Sequence, residues 1–296
     1  MLGLKAYTWI CVSVCYDGGV VPMQALTAND LTLNFGDKII IDDINIEIPK
    51  GEITVLIGPN GCGKSTLLRA LARLLQPKSG TVILNGKEIA KLKTKDVAKN
   101  LAVLPQSPVA PDGLTVYELV KQGRHPYRSF LKQWSKEDED AVLLALESTN
   151  MIDLKDRTVD SLSGGQRQRA WIALTLAQQT DIILLDEPTT YLDLTHQIDV
   201  LDLLFDLNEK DGRTIVMVLH DLNLASRYAN YMIAIKDKKV FAQGKPEEVI
   251  TSELVHNVFQ MKCSVACDPM FGTPMCIPHG KGRCVLREVG KETIIS

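Results

Sequence analysis

An α/β fold, a parallel sheet with a phosphate-binding loop at one strand end, is what the sequence predicts, on three observations. The apolar run Ile53–Ile57 reads as a short buried strand, and Leu67 to Leu75, with helical apolar spacing and no breakers, reads as a helix. Between them lies Gly58-Pro59-Asn60-Gly61-Cys62-Gly63-Lys64-Ser65-Thr66, which meets the pattern G-x-x-x-x-G-K-[ST] at Gly58, Gly63, Lys64 and Ser65. Two further aliphatic runs, Ile182–Leu185 and Thr214–Leu219, end in Asp186-Glu187 and His220-Asp221, as strand ends bearing chemistry would. The glycines let successive backbone N–H groups turn inward on a polyphosphate, and the positive end of the following helix faces the same anion. Lys64 is expected to supply a point charge for the β and γ phosphates, and the Ser65 hydroxyl to ligate Mg²⁺.

A chain of 296 residues with 45% hydrophobic content can bury one large core or two small ones. Its net charge of −3 gives no electrostatic case for nucleic acid, so no nucleic-acid partner is expected. No apolar stretch reaches the roughly 20 residues a spanning helix needs, so any link to a membrane is expected to run through a partner. Residues 1–22, with Lys5 and the apolar run Ala6 to Cys15, read as an extension, either poorly ordered or preceding a true start at Met23. Seven cysteines, an odd number, beside a nucleotide motif point to reduced thiols.

Taken in order, Leu31-Thr32-Leu33 and Ile44-Asn45-Ile46-Glu47-Ile48 alternate with period two around Phe35-Gly36-Asp37, which predicts an antiparallel pair. Phe35 is either an aromatic that stacks on a flat base or a strand-end residue covering the core. Thr81–Leu84 is a strand turned by Asn85-Gly86, and Leu101–Leu104 a buried strand ending at Pro105-Gln106. A glutamine there can bridge Mg²⁺ or water to a mobile segment. Thr115 to Gln179 reads as largely helical, interrupted by an exposed-looking loop, Gly123-Arg124-His125-Pro126-Tyr127, that is either a docking surface or a connector. Ser163-Gly164-Gly165-Gln166 opens a helix from Arg167 to Gln178 and makes a second anion-binding helix start. Asp186, ending its strand beside the phosphate loop, is expected in the Mg²⁺ shell, and Glu187 to polarise water. The next helix carries Ile198, Leu201 and Phe205 on one face; His220 ends a strand where a γ-phosphate would lie, and Tyr231–Ile235 with Val240–Ala242 form a hairpin.

With these segments in this order, from about Leu26 to Ile250, the sequence resembles the nucleotide-binding subunit of an ABC transporter. The Walker A stretch (Gly58 to Ser65), the Q-loop Gln106, the signature Leu162 to Gln166, Walker B with Asp186 and Glu187, the D-loop Leu192-Asp193 and the switch His220 are all present. The resemblance implies a P-loop NTPase (RecA-like) α/β core, an antiparallel β subdomain and an inserted α-helical subdomain of about 107–178, within a domain 23–250. A small cysteine-containing extension, 251–296, would follow.

It also implies an ATPase that uses ATP and Mg²⁺, with Glu187, His220, Lys64 and Gln106 catalytic. Ser65, Gln106 and Asp186 would hold the metal. Phe35 would stack on adenine, and Ser163, Gly164, Gly165, Gln166 and Asp193 would complete the ATP seat of a second copy. Pairing head to tail on ATP binding follows, as does contact with two permease subunits, and through them a substrate-binding protein, at the cytoplasmic face of the membrane. Gly61-Cys62-Gly63, the Gly-Arg-His-Pro after Gln106, and the ending Asp268-Pro269 to Gly272-Thr273-Pro274 look like importers of ferric siderophores, haem or cobalamin.

Cys263, Cys267, Cys276 and Cys284 crowd the tail, near His279, but their spacing C-x₃-C-x₈-C-x₇-C lacks the paired C-x₂-C of common metal sites. Free or partly buried thiols are the expectation, with zinc or an iron–sulfur cluster the alternative. A DNA-repair or ribosomal ATPase of the same family would carry long coiled-coil or zinc insertions or two cassettes, and this chain has neither; a metal-sensing regulator would rest on the cysteine tail.

Overall fold

Period-two alternation draws β1 (Gln24–Phe35) and β2 (Lys38–Pro49) into an antiparallel pair, closed where Gly36 takes a φ of +56°. The computed structural model describes residues 24–128 and 134–281; the expectations for residues 1–22, and for Cys284, lie outside the described residues. β3 (Ile53–Ile57) is buried at every position and feeds the glycine loop into α1 (Lys64–Leu71). This helix starts three residues earlier than its apolar spacing predicted, because Gly63, at φ +108°, turns the backbone directly into it, and it stops at Leu71. β4 (Ser79–Leu84) returns to pair antiparallel with β1, and Asn85-Gly86, both at positive φ, turn it into β5 (Lys87–Glu88). The result is a four-stranded antiparallel sheet in the order β2-β1-β4-β5.

α2 (Thr94–Asn100) leads to β6 (Leu101–Leu104), and α3 (Val116–Lys121), α4 (Lys136–Ser148) and α5 (Gly164–Ala177) follow. β7 (Ile182–Leu185), α6 (Leu194–Asp211), β8 (Thr214–Val218) and α7 (Leu222–Tyr228) alternate next, then β9 (Tyr231–Lys236) and β10 (Lys239–Gly244). The chain continues through α8 (Pro246–Val249), α9 (Ser252–Phe259) and a hairpin of β11 (Cys263–Cys267) and β12 (Pro274–Pro278).

The central sheet runs β10-β9-β3-β8-β7-β6, with β9, β3, β8, β7 and β6 parallel. β3, β7 and β8 are buried on both faces, which is why they read as unbroken aliphatic runs. Alternate residues serve opposite layers. Val55, Ile183 and Met217 pack with α3 to α6, whereas Leu56, Leu184 and Val216 pack with α1 and the antiparallel sheet.

Two expectations change here. In α6, Ile198 and Leu201 pack on the core as expected, together with Val200, Leu204 and Leu207, while Phe205 is exposed and stacks edge-on with Tyr228. The segment read as an exposed loop is a 3₁₀ turn, Gln122–Tyr127, and Arg124 within it is buried. Its guanidinium bonds Asp138 Oδ1 at 2.9 Å, the Ala177 carbonyl at 2.9 Å and Gln179 Oε1 at 2.8 Å, so it closes the end of α5 and clamps the start of α4. The planar fork of arginine satisfies three acceptors at once, and Arg124 is therefore not a docking side chain.

Candidate active site

The strands β3, β8, β7 and β6 are neighbours in the sheet, and each delivers one part of the site just past its carboxyl end, where open α/β sheets bind ligands. The glycine loop follows β3, His220 follows β8, Asp186 and Glu187 follow β7, and Gln106 follows β6. The loop, through Asn60, Gly61, Gly63, Lys64, Ser65 and Thr66, joins Gln106, Glu187 and His220 in lining a cleft of about 520 Å³, and Asp186 reaches it through its bond to Ser65. Only glycine fits at two points of the loop. A Cβ on Gly58 (φ +148°) would stand 2.9 Å from Cys62 Sγ and collide with the Ile235 carbonyl, and one on Gly63 would lie 2.7 Å from Ile41 Cδ1. Lys64 is buried, and its ammonium donates to the carbonyls of Gly58 (2.8 Å) and Pro59 (2.9 Å), which fixes it against the loop.

Ser65 Oγ donates to Asp186 Oδ1 at 2.7 Å, so a hydroxyl from the first turn of α1 and a carboxylate following β7 meet. This all-oxygen pair at the foot of a helix fits a hard divalent cation such as Mg²⁺. Glu187 takes a left-handed φ of +52°, rare for a side chain of its size, and three groups hold it there. His220 Nε2 lies 2.7 Å from its Oε1, while Gln106 Nε2 at 2.5 Å and Thr190 Oγ1 at 2.9 Å donate to its Oε2. The two adjacent carboxyls are driven apart. Burial, and secondarily the Glu187 charge, push Asp186 above the ordinary carboxylate range despite the Ser65 bond. Burial also opposes the Glu187 charge, but the bonds from His220, Thr190 and Gln106 outweigh it and draw that carboxyl down. Glu187 is thus a carboxylate at neutral pH, able to accept a proton from water.

The family model described as ABC transporter matches residues 41–190. A relative named Probable siderophore transport system ATP-binding protein YusV, from Bacillus subtilis (strain 168), is 69% identical over 90% of this chain and 97% of its own. This chain belongs to the ABC transporter family. The Petrobactin import ATP-binding protein FpuD of Bacillus anthracis is 64% identical over 90% of this chain and 97% of its own length. Among solved structures, the dimeric post-hydrolysis state of the ATP-binding cassette MJ0796 bound to ADP and Pi matches with a TM-score of 0.66 at 30% identity, over 74% of this chain and 98% of that one. As an ABC ATP-binding subunit, the chain binds ATP and is an ATPase coupled to transport across a membrane.

The other expected site residues of this ABC ATPase lie elsewhere. Ser163, Gly164, Gly165, Gln166 and Asp193 do not line the cleft. Ser163 Oγ caps α5 by accepting from the Gln166 N–H at 3.3 Å, and the Ser163 N–H donates to Gln166 Oε1 at 3.1 Å. Asp193 caps α6. Phe35 stands half-exposed at the end of β1, outside the cleft lining, while Ile40 of the neighbouring β2 lines it. Sequence reasoning missed Ile40, Thr190 and Tyr191. Only the spacing of Thr190, three residues past Glu187, offered a signal, since that is one turn's reach. In the tail, Cys263 and Cys276 are buried and Cys267 is exposed, and the described residues contain no group of three or more metal-ligating side chains. No helix among the described residues is long and apolar enough to cross a membrane.

Proposed function

We propose that this ABC ATPase energises uptake of a ferric siderophore or a related iron chelate through a membrane permease. The observation that carries the catalytic part is the convergence of Lys64, Ser65, Glu187, Gln106 and His220 on one cleft, with Asp186 bonded to Ser65. The substrate class is supported by the printed names of the relatives 69% and 64% identical to it. In this reading the loop Gly58 to Thr66 seats the triphosphate, with Pro59, Asn60, Gly61, Cys62 and Gly63 offering backbone, and Phe35 stacks on adenine at the open side. Lys64 swings from its two carbonyls onto the β and γ phosphates. Ser65, Asp186 and Gln106 would hold Mg²⁺, which when bound neutralises charge developing on the phosphoryl oxygens. Glu187 takes the proton of the attacking water, His220 orients the γ-phosphate and steadies Glu187, and Gln106 senses the same carboxylate.

Ser163, Gly164, Gly165, Gln166 and Asp193, which do not line this cleft, serve the ATP of a second copy placed head to tail. Two permease subunits, and through them a substrate-binding protein, would meet the helical subdomain of about 107–178 at the cytoplasmic face of the membrane. That subdomain belongs to an ATPase domain of 23–250, followed by the extension 251–296. With Arg124 buried, the groove beside it presents Tyr127, Glu137, Asp140 and Leu144 to such a partner.

Glu187→Gln tests the catalytic part: it should bind ATP normally yet turn over at least about tenfold more slowly, the minimum expected for a lost general base. Wild-type turnover would remove Glu187 from that role. Co-purification of a polytopic permease, followed by ATP-dependent uptake of a labelled iron chelate, tests the cargo; uptake that ignores iron chelates overturns it.

A further inference from the structure

His196 joins the signature turn to the D-loop within one chain. Asp193 caps α6, which sets His196 in the first turn, and the His196 backbone N–H (3.0 Å) and ring Nδ1 (2.6 Å) both meet Asp193 Oδ1. With a carboxylate as the acceptor, the ring proton lies on Nδ1 and the imidazole is fixed along that edge. Its opposite side covers Gly165. A Cβ at position 165 would collide with His196 Cδ2 and stand 2.9 Å from Cγ, so this glycine makes room for the imidazole. Beside it, a Cβ on Gly164 would touch Leu192 Cδ2 at 3.6 Å. One turn along α5, Arg169 Nη2 pairs with Asp199 Oδ2 of α6 at 2.6 Å and continues the seam.

We propose that His196 is a positioning residue for ATP hydrolysis: locked by Asp193 and packed over Gly165, it makes the D-loop and the signature turn one unit, so that both reach the partner's nucleotide together. The inference rests on the head-to-tail pairing proposed above. Because His196, Asp193 and Gly165 do not line the cleft of their own chain, the effect is separable from ATP capture.

The test compares His196→Leu, which removes the Nδ1 donor, with His196→Asn, which restores a donor at about the same reach. His196→Leu should lower kcat about tenfold, in the range a slightly misplaced catalytic group costs, while the affinity of the single chain for a fluorescent ATP analogue stays within about twofold. His196→Asn should recover to within about threefold of wild type. A cycle with Gly165→Ala adds the steric arm: this change should cost less kcat in a His196→Ala background than in the wild type. An unchanged kcat in His196→Leu, an Asn variant no better than Leu, losses of ATP affinity and thermal stability that parallel the loss of kcat, or a Gly165→Ala cost independent of residue 196 would each overturn the inference. Failure of the pairing itself would look different: the Glu187→Gln protein would remain a single chain with Mg–ATP.

Discussion

Arg124 and Asp138 illustrate how a charge pair behaves once the fold encloses it. Burial raises the Asp138 carboxyl, but bonds from Arg124 and Ser135 prevail and hold it below the ordinary range. Its contribution to stability is therefore full above the usual carboxylate pKa of about 4 and is lost as pH falls through the lower folded value. Asp138→Ala, which leaves the guanidinium buried without its partner, should cost about 3 kcal/mol in denaturant unfolding at pH 7. For Asp138→Asn, which cannot ionise, the stability gap to wild type should narrow on acidification to about pH 3; a gap constant with pH would mean that the carboxylate charge is not what matters. The sequence displayed the residues of this pair but not their burial, because Gly-Arg-His-Pro looks like any polar connector until α4 and α5 close over it. The position of the residues gathered at the cleft was legible for the opposite reason. Each follows an aliphatic run too greasy to be anything but a buried strand, so its place at a strand end could be read locally.

Elements defined by local pattern were legible, and those defined by what they pack against were not. The five parallel strands of the central sheet and the antiparallel sheet follow from aliphatic runs and period-two alternation, whereas in α6, where Ile198 and Leu201 pack on the core as their spacing indicated, Phe205 turns outward to Tyr228. The β11–β12 hairpin escaped notice because its anchors lie about 50 residues away in α7. Asn223 grips Cys276 at both backbone groups, accepting from its N–H at 2.7 Å and donating to its carbonyl at 3.2 Å, and Arg227 pairs with Asp268 at 2.8 Å. Under this grip the Cys276 thiol is pushed up to about 11 by burial and by neighbouring Cys263, so it should react slowly with alkylating agents. Asn223→Ala should release the hairpin and raise the labelling rate of Cys276 about tenfold, as a local opening costing roughly 1.4 kcal/mol less would do. Peptide mapping of timed alkylation would show it; an unchanged rate would mean that the side-chain grip does not hold the hairpin down.

At the scale of the whole molecule, the proposed head-to-tail pairing splits the site between two surfaces. One bears the cleft, with its phosphate loop and the Glu187–His220–Gln106 cluster; the other bears Ser163 to Gln166 and Asp193, which do not line the cleft of this chain. The motifs named both surfaces in advance, but sequence has no means of telling which groups meet within a chain and which meet across two. Within the chain, the sheet order brings the four strand ends together, and the start of α5 does not line the cleft they form. The account therefore predicts that nucleotide joins two copies before it is hydrolysed. Analytical ultracentrifugation of the Glu187→Gln protein tests this most directly. Saturating Mg–ATP should double the sedimenting mass, and adding Ser163→Arg to the same chain should abolish the doubling while ATP still binds. A mass that stays at one chain with Mg–ATP, or a doubling indifferent to Ser163→Arg, would contradict it.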